Sequence, residues 1–443
     1  MMNRRSIKLA ATLTIMCLLC LNVSTAKKPN VLVPYDGPSF KGVDTTTLTG
    51  KVVCGYQGWF NCEGDGADLG WTHWARDRNE LFAPGNITVD LWPDVSEFDD
   101  DELYETGFLN TDGSVAKTFS SFNRKTVIRH FEWMRDYGID GAFIQRFCHS
   151  LDNEDRKYHK DVILSNAREG ANRTGRTYIV MYDLSGTPDD ELVDVVVNDW
   201  KELRTKMKIT EDPAYLHHNG KPVLAVWGIG FNNNIKPRPS VEVSEELIDA
   251  LKTDGCTLML GIPTGWLSQT RDSLSEEEAP RLIEVLSKAD ILSPWTAGRY
   301  KNIPDAIRHG QRYWKPDVDW CNANKKTYLP VIHPGFSWHN LKDAELDAVP
   351  RLEGKYMWSQ TIEAHKAGAE AIYVGMFDEV DEGTAIFKCT NNPPTGNGGK
   401  FLTYEGLPSD FYLQLTGKVG ELLRGEIGRD FDFEGFKNSM PRE

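Results

Sequence analysis

A helix-then-strand pattern repeats along this chain and restricts its possible folds more than any other feature. Short β-prone segments lie at 51–56, 141–147, 177–183, 222–227, 257–262, 290–295, 327–332 and 371–377. Helical patterns separate them, at about 123–137, 158–173, 189–207, 244–253, 279–288, 303–315 and 354–367, with a last one near 409–424. The first shows the logic: Val127, Ile128, Phe131, Met134 and Tyr137 recur at intervals of three and four, and Gly138 stops the helix. The strands are apolar without alternation, so both faces are expected to be covered, as in a parallel sheet. Eight such units predict a single (β/α)8 barrel of the TIM type. An open doubly wound sheet fits less well, because no Gly-rich phosphate loop follows the first strand. Residues 51–425 read as this one domain, 27–50 as a proline-containing lead-in and 426–443 as a tail.

The N-terminus carries Arg4, Arg5 and Lys8, then an apolar run to about Val23, then Ser24-Thr25-Ala26. That order predicts a signal peptide cleaved after Ala26, and so a secreted or periplasmic protein; the run is too short for a membrane span. No second apolar run is long enough to cross a bilayer. The whole chain has a net charge of −15, and the leader holds only basic charges, so the remainder is more acidic still. Nucleic acid and anionic membranes are therefore poor partners, while a neutral sugar is not excluded. Six cysteines follow the leader: Cys54, Cys62, Cys148, Cys256, Cys321 and Cys389. They are too sparse for a disulfide scaffold, though Cys54 and Cys62 are near enough in sequence to bridge.

A barrel of this kind works at the carboxyl ends of its strands. Reading those ends gives Tyr56, Gln57 and Trp59, then Gln145, Arg146 and His149, then Tyr182 and Asp183, then Trp227. Thr264 and Trp266, Trp295 and Arg299, and His333, Trp338 and His339 follow. Several of the 13 Trp fall there, and aromatic faces suit the apolar faces of sugar rings. The last strand runs straight into Asp378, Glu379, Asp381 and Glu382, with Gly383 permitting a turn. Glu379 and Glu382 are three apart, so a helical turn would set both carboxyls in one pocket, where repulsion splits them into an acid and a base.

The stretch Phe377-Asp-Glu-Val-Asp-Glu-Gly-Thr-Ala-Ile386 resembles the F-N-E-W-x-E-G-T-x-I signature of glycoside hydrolase family 99. That family contains endo-α-mannosidases and endo-α-mannanases and is allied to the α-1,3-glucanase family 71; some secreted relatives are described as xylosidase/arabinosidase-like. Gly55-Tyr-Gln-Gly-Trp59, Lys221-Pro-Val-Leu-Ala-Val-Trp227 and Ser293-Pro-Trp-Thr296 are similar to its other segments in the same order. Asp378 stands where the family has Asn, and Val380 where it has Trp. The resemblance implies a retaining glycosidase without a carboxylate nucleophile. Glu379 would be the base towards the sugar 2-hydroxyl, which attacks the anomeric carbon to give a 1,2-anhydro sugar. Glu382 would protonate the leaving oxygen and later activate water.

The expected substrate is thus an oligosaccharide or polysaccharide, held by Tyr56, Trp59, Tyr182, Asp183, Trp227, Trp295, His333, Trp338 and Asp378. No cofactor fingerprint is present, and no metal is expected: His333 and His339 form no HExxH or facial-triad pattern, and the Gly/Asp-rich loop at 63–68 lacks the spacing of a calcium loop. The alternatives are a barrel that binds carbohydrate without reacting and a metal-dependent polysaccharide-modifying enzyme.

Overall fold

The computed structural model describes residues 28–232 and 237–442; the leader predicted at 1–26 lies outside them. From Val31 onward the chain forms one unit. Its strands are β1 (Val52–Tyr56), β2 (Leu103–Leu109), β3 (Val115–Phe119), β4 (Gly141–Phe147), β5 (Thr177–Asp183) and β6 (His217–His218). β7 (Lys221–Trp227), β8 (Thr257–Pro263), β9 (Ile291–Trp295), β10 (Thr327–Tyr328), β11 (Val331–Ile332) and β12 (Ile372–Val374) follow.

The main sheet is curled and mostly parallel, in the order β10-β9-β8-β7-β5-β4-β1-β12-β11, with β6 pairing antiparallel to β7. Its two end strands, β10 and β11, are halves of one segment. Pro330 has no N–H and interrupts that segment. Leu329 N still donates to Leu292 O (2.9 Å), and Tyr373 N donates to Pro330 O (3.0 Å).

Strand side chains alternate between two cores. Val53, Phe143, Ile179, Met181, Val223, Ala225, Met259, Ile291, Leu329, Val331 and Tyr373 pack with one another inside the curl. Their neighbours in sequence, such as Cys54, Tyr56, Ile144, Tyr178, Val180, Tyr182, Leu224, Val226, Leu258 and Leu260, belong to the larger core under the helices. On that outer side a buried ion cluster fixes two helices to the sheet. Arg146 grips both oxygens of Asp199 (2.9 and 2.6 Å) in helix Asp189–Glu202 and one of Asp161 (2.9 Å) in helix Glu154–Thr174.

Several elements differ from the sequence expectation. The last strand ends at Val374 rather than 377. Beyond it Gly375 N still bonds Ile332 O and Phe377 N bonds Gly55 O, but Met376 N turns to Thr384 O, so the ladder loses its register. The 189–207 and 303–315 patterns each break into an α-helix followed by a π turn, Leu203–Met207 and Gly310–Trp314. The long connection after β1 contains the unexpected antiparallel pair β2–β3. In the segment read as a tail, helix Phe433–Asn438 stacks Phe433 on Trp358 at 6.0 Å. All six described cysteines are buried and free, so Cys54 and Cys62 are not bridged: Cys54 sits in β1, and Cys62 Sγ donates to Phe119 O (3.2 Å).

Candidate active site

The acidic run after β12 forms a series of turns, not a helix, at the carboxyl edge of the sheet. Thr384 N and Ala385 N both donate to Glu379 O, which folds the run back on itself. Gly383 takes a left-handed φ of +64° beside Ser337 N, where a Cβ would come within 3.0 Å. Ser337 N donates to Glu382 O (2.9 Å), tying this turn to the loop after β11.

Glu379 is buried, and each carboxylate oxygen has a donor: Gln57 Nε2 to Oε1 (2.7 Å) and Thr384 Oγ1 to Oε2 (2.9 Å). Burial, then the charges of Glu382 and Asp381, push its carboxyl well above the usual range, and the two donors pull back. Glu382 is pushed up to about 7 by burial and then Asp381, against the Trp338 indole, which donates to it, and the Lys342 ammonium. The two glutamates therefore titrate as an interacting pair that retains a proton near neutrality.

Asp378 is fully buried and clamps β1: its oxygens accept from Gln57 N (2.8 Å) and Gly58 N (2.9 Å). Burial raises it to about 6. One Asp381 oxygen lies 3.0 Å from His73 Nδ1, and His73 lies flat against Trp59 at 3.7 Å and 3°. Trp59 also leans on Phe147 at 5.3 Å. Across the sheet, Trp227 and Trp295 meet edge to face at 6.0 Å. Each ring depends on a glycine. A Cβ on Gly261 would lie 2.3 Å from Trp227, and one on Gly375 would lie 3.1 Å from Trp295. Asp183, at the end of β5 with the same inward parity, is raised to about 6 by burial while Ser185 N donates to it (2.8 Å).

Four of the residues assigned to substrate do not reach this cleft. Tyr56 and Tyr182 have outward parity; the hydroxyl of Tyr56 bonds His130 Nδ1 (2.9 Å), and that of Tyr182 donates to Asp199 (2.6 Å). His333 is buried between Tyr300 and Tyr356, and Asp378 spends both oxygens on backbone N–H groups. Position near strand ends suggests all four; the two-residue period of the strands separates Tyr56 and Tyr182 from Asp183, Trp227 and Trp295. Trp59, Trp338, Glu379 and Glu382 remain linked through the acidic turn. Among the described residues no group of three or more His, Cys, Asp or Glu could hold a metal ion.

No protein-family model matches the chain, and no curated protein matches it. Its structure is similar to that of the glycoside hydrolase family 99 endo-α-mannosidase from Bacteroides thetaiotaomicron. One structure of that protein superposes with a TM-score of 0.61 at 16% identity, covering 86% of this chain and 99% of that one. A second gives 0.56 at 17% identity over 86% and 99%. A protein described as glycoside hydrolase-like gives 0.50 at 12% identity over 88% and 98%. The chain has their fold.

One residue of the site has no signal in the strand ends. Lys160, on helix Glu154–Thr174, is buried and forms no ion pair or hydrogen bond among the described residues. Its ammonium lies 5.2 Å over the Phe147 ring and feels Asp378 and Asp183. Burial, then Arg146, push it down to about 7. The clue in the sequence is a helix whose inner face carries polar residues, Lys160, Asp161, Asn166, Arg168 and Asn172, all buried.

Proposed function

We propose that this protein is a secreted glycoside hydrolase acting on α-linked glycans, with Glu379 and Glu382 as its working pair in a closed (β/α)8 barrel. The observation that carries the reading is the pair itself. A buried carboxyl and a half-buried one sit on one turn at the carboxyl edge of the sheet, their affinities for protons raised by burial and by neighbouring acids. Closure is supported by the segment 327–332, which bonds β9 on one side and β12 on the other. The fold shared with a family 99 endo-α-mannosidase supports the choice of chemistry.

In this reading Glu379 takes the proton of the sugar 2-hydroxyl, whose oxygen attacks the anomeric carbon. The bond to the leaving oxygen breaks as Glu382 gives that oxygen its proton. Water then attacks the anomeric carbon of the 1,2-anhydro sugar; Glu382 takes the water proton, and Glu379 returns its own to O2. The donors on Glu379, Gln57 and Thr384, work against the rise that burial and the neighbouring acids impose, and so support the ionised form that a base needs. Burial of Glu382 suits an acid, and Trp338 and Lys342 suit the carboxylate that forms once the proton has left. Trp227 and Trp295 supply apolar walls for the sugar.

The test is a panel of α-linked mannans, glucans and arabinoxylans, followed by variants on whichever is cleaved. Glu382→Gln should lose about 10²–10⁴-fold in rate and be partly rescued by an aryl glycoside with an activated leaving group. Glu379→Gln should be slow on every substrate. Efficient cleavage of a 2-O-methyl substrate by the unaltered protein would exclude the 2-hydroxyl route.

A further inference from the structure

Trp59, His73 and Lys160, already tied to the acidic turn and its neighbours, also line a cavity of about 480 Å³. Its other charged lining residues are Arg78 and Arg156, and none of the lining residues is an Asp or a Glu. In a chain of net charge −15 this runs against the general field. Arg78 and Arg156 are exposed at the surface, whereas Lys160 is 6% exposed. A buried ammonium is costly unless something pairs with it. Of the two carboxylates it feels, Asp378 is committed to the N–H groups of Gln57 and Gly58, and Asp183 accepts one bond from Ser185 N; neither pairs with it. On its other side lies Arg146, a like charge already bound to Asp161 and Asp199. The protein thus builds a cationic cavity, walled by Trp59, His73 and Phe147, and leaves its innermost charge without a counter-ion.

Resting on the glycosidase reading above, we infer that the glycan this site takes carries an anionic sugar, a uronate or a sulfate ester, whose charged group lies against Lys160. The stacked Trp59, His73 and Phe147 wall the cavity beside the sugar, and Arg78 and Arg156 draw the charge to the mouth. A neutral glycan would bury Lys160 still further with nothing to neutralise it. An acidic one replaces its lost water with a charge-assisted hydrogen bond, a type of contact worth about 1.5–3 kcal/mol.

Matched neutral, uronate-bearing and sulfate-bearing oligosaccharides, titrated calorimetrically into the Glu382→Gln protein, test this without requiring turnover. One or both acidic ligands should bind at least about 10-fold more tightly than the neutral one, and the preferred arm identifies the anion. Lys160→Met should bring acidic and neutral ligands to similar affinity. The exposed Arg156→Gln should narrow the preference by a smaller factor, and it decides the matter if Lys160→Met does not fold. Equal or tighter binding of the neutral ligand, or a preference that survives both substitutions, overturns the inference. Hydrolysis of neutral glycans by the native protein with no acidic preference would sink this inference alone. An acidic preference without hydrolysis of any glycan would leave it standing and sink the glycosidase reading.

Discussion

Glu382 should govern the alkaline side of the pH–rate profile. A general acid works only while protonated, so kcat/KM is expected to fall as pH rises through about 7, the value to which burial and Asp381 carry this group. Glu382→Gln should remove that limb with an activated aryl substrate; a limb that persists assigns it to another group. The raised carboxyls also act on stability. Asp183 and Asp378 are lifted to about 6 and Asp317 to about 8, each chiefly by burial. A folded-state value above the unfolded one, near 3.9, holds extra protons in the native state. The stabilisation is complete below about 4 and is lost as pH rises through the folded values. Melting temperature should therefore fall between pH 5 and pH 8. Asp317→Asn, buried beside Tyr328 and away from the acidic turn, should flatten that fall, by on the order of 1.4 kcal/mol per pH unit of the window. An unchanged slope in the variant would contradict this. At this scale the place of the acidic turn at the carboxyl edge was legible, because its acids closely follow an apolar strand. Lys160 was not, because its place is set by how a helix packs on the sheet, which strand ends do not reveal.

At the scale of elements, inward strand positions fill the curl and only the last of them reach the cleft, while outward ones serve the helices. Positions of the strands were readable from apolar runs, but which parity faces inward was not, since both faces are apolar. That is why Tyr56 and Tyr182 read as site residues and belong to the outer core instead. The π turns and the β2–β3 pair escaped for a related reason: local sequence carries helix and strand preference, whereas these irregularities answer to packing. Two substitutions probe the division. Gly261→Ala would press a Cβ against Trp227 at 2.3 Å; it should cost about 1–3 kcal/mol of stability and weaken substrate binding more than the chemical step, seen as a rise in KM. Arg146→Met leaves Asp161 and Asp199 with Lys157 alone (3.0 and 3.8 Å), nearer the surface, and should destabilise by about 3–5 kcal/mol in denaturant titration. A loss below 1 kcal/mol would mean that the cluster does not hold the helices.

Over the whole molecule, a mostly parallel sheet covered by helices was legible from the alternation of elements alone, while the seam at Pro330 was not, because only spatial neighbours reveal it. If the curl closes there, the amides of Tyr373 and Gly375, which donate across the seam to Pro330 and Ile332, should exchange with solvent as slowly as those of central β5. Fast exchange confined to them would mark an open edge. A last consequence concerns the order in which the chain is made. The acidic turn is fastened from both ends of the sequence: Asp90 N and Leu91 N donate to Val380 O, Gln57 reaches Glu379, and Leu402 N returns to Asp90 O. A ribosome delivers residue 57 long before residue 379, and residue 402 later again. Trp59, Trp227 and Trp295 all precede the acidic turn in the chain, as do Gln57, Asp90 and Leu91, which wait for it. The acidic turn is fully fastened only with the final tenth of the polypeptide, so the carboxyl edge of the sheet is the last part of the molecule to take its form.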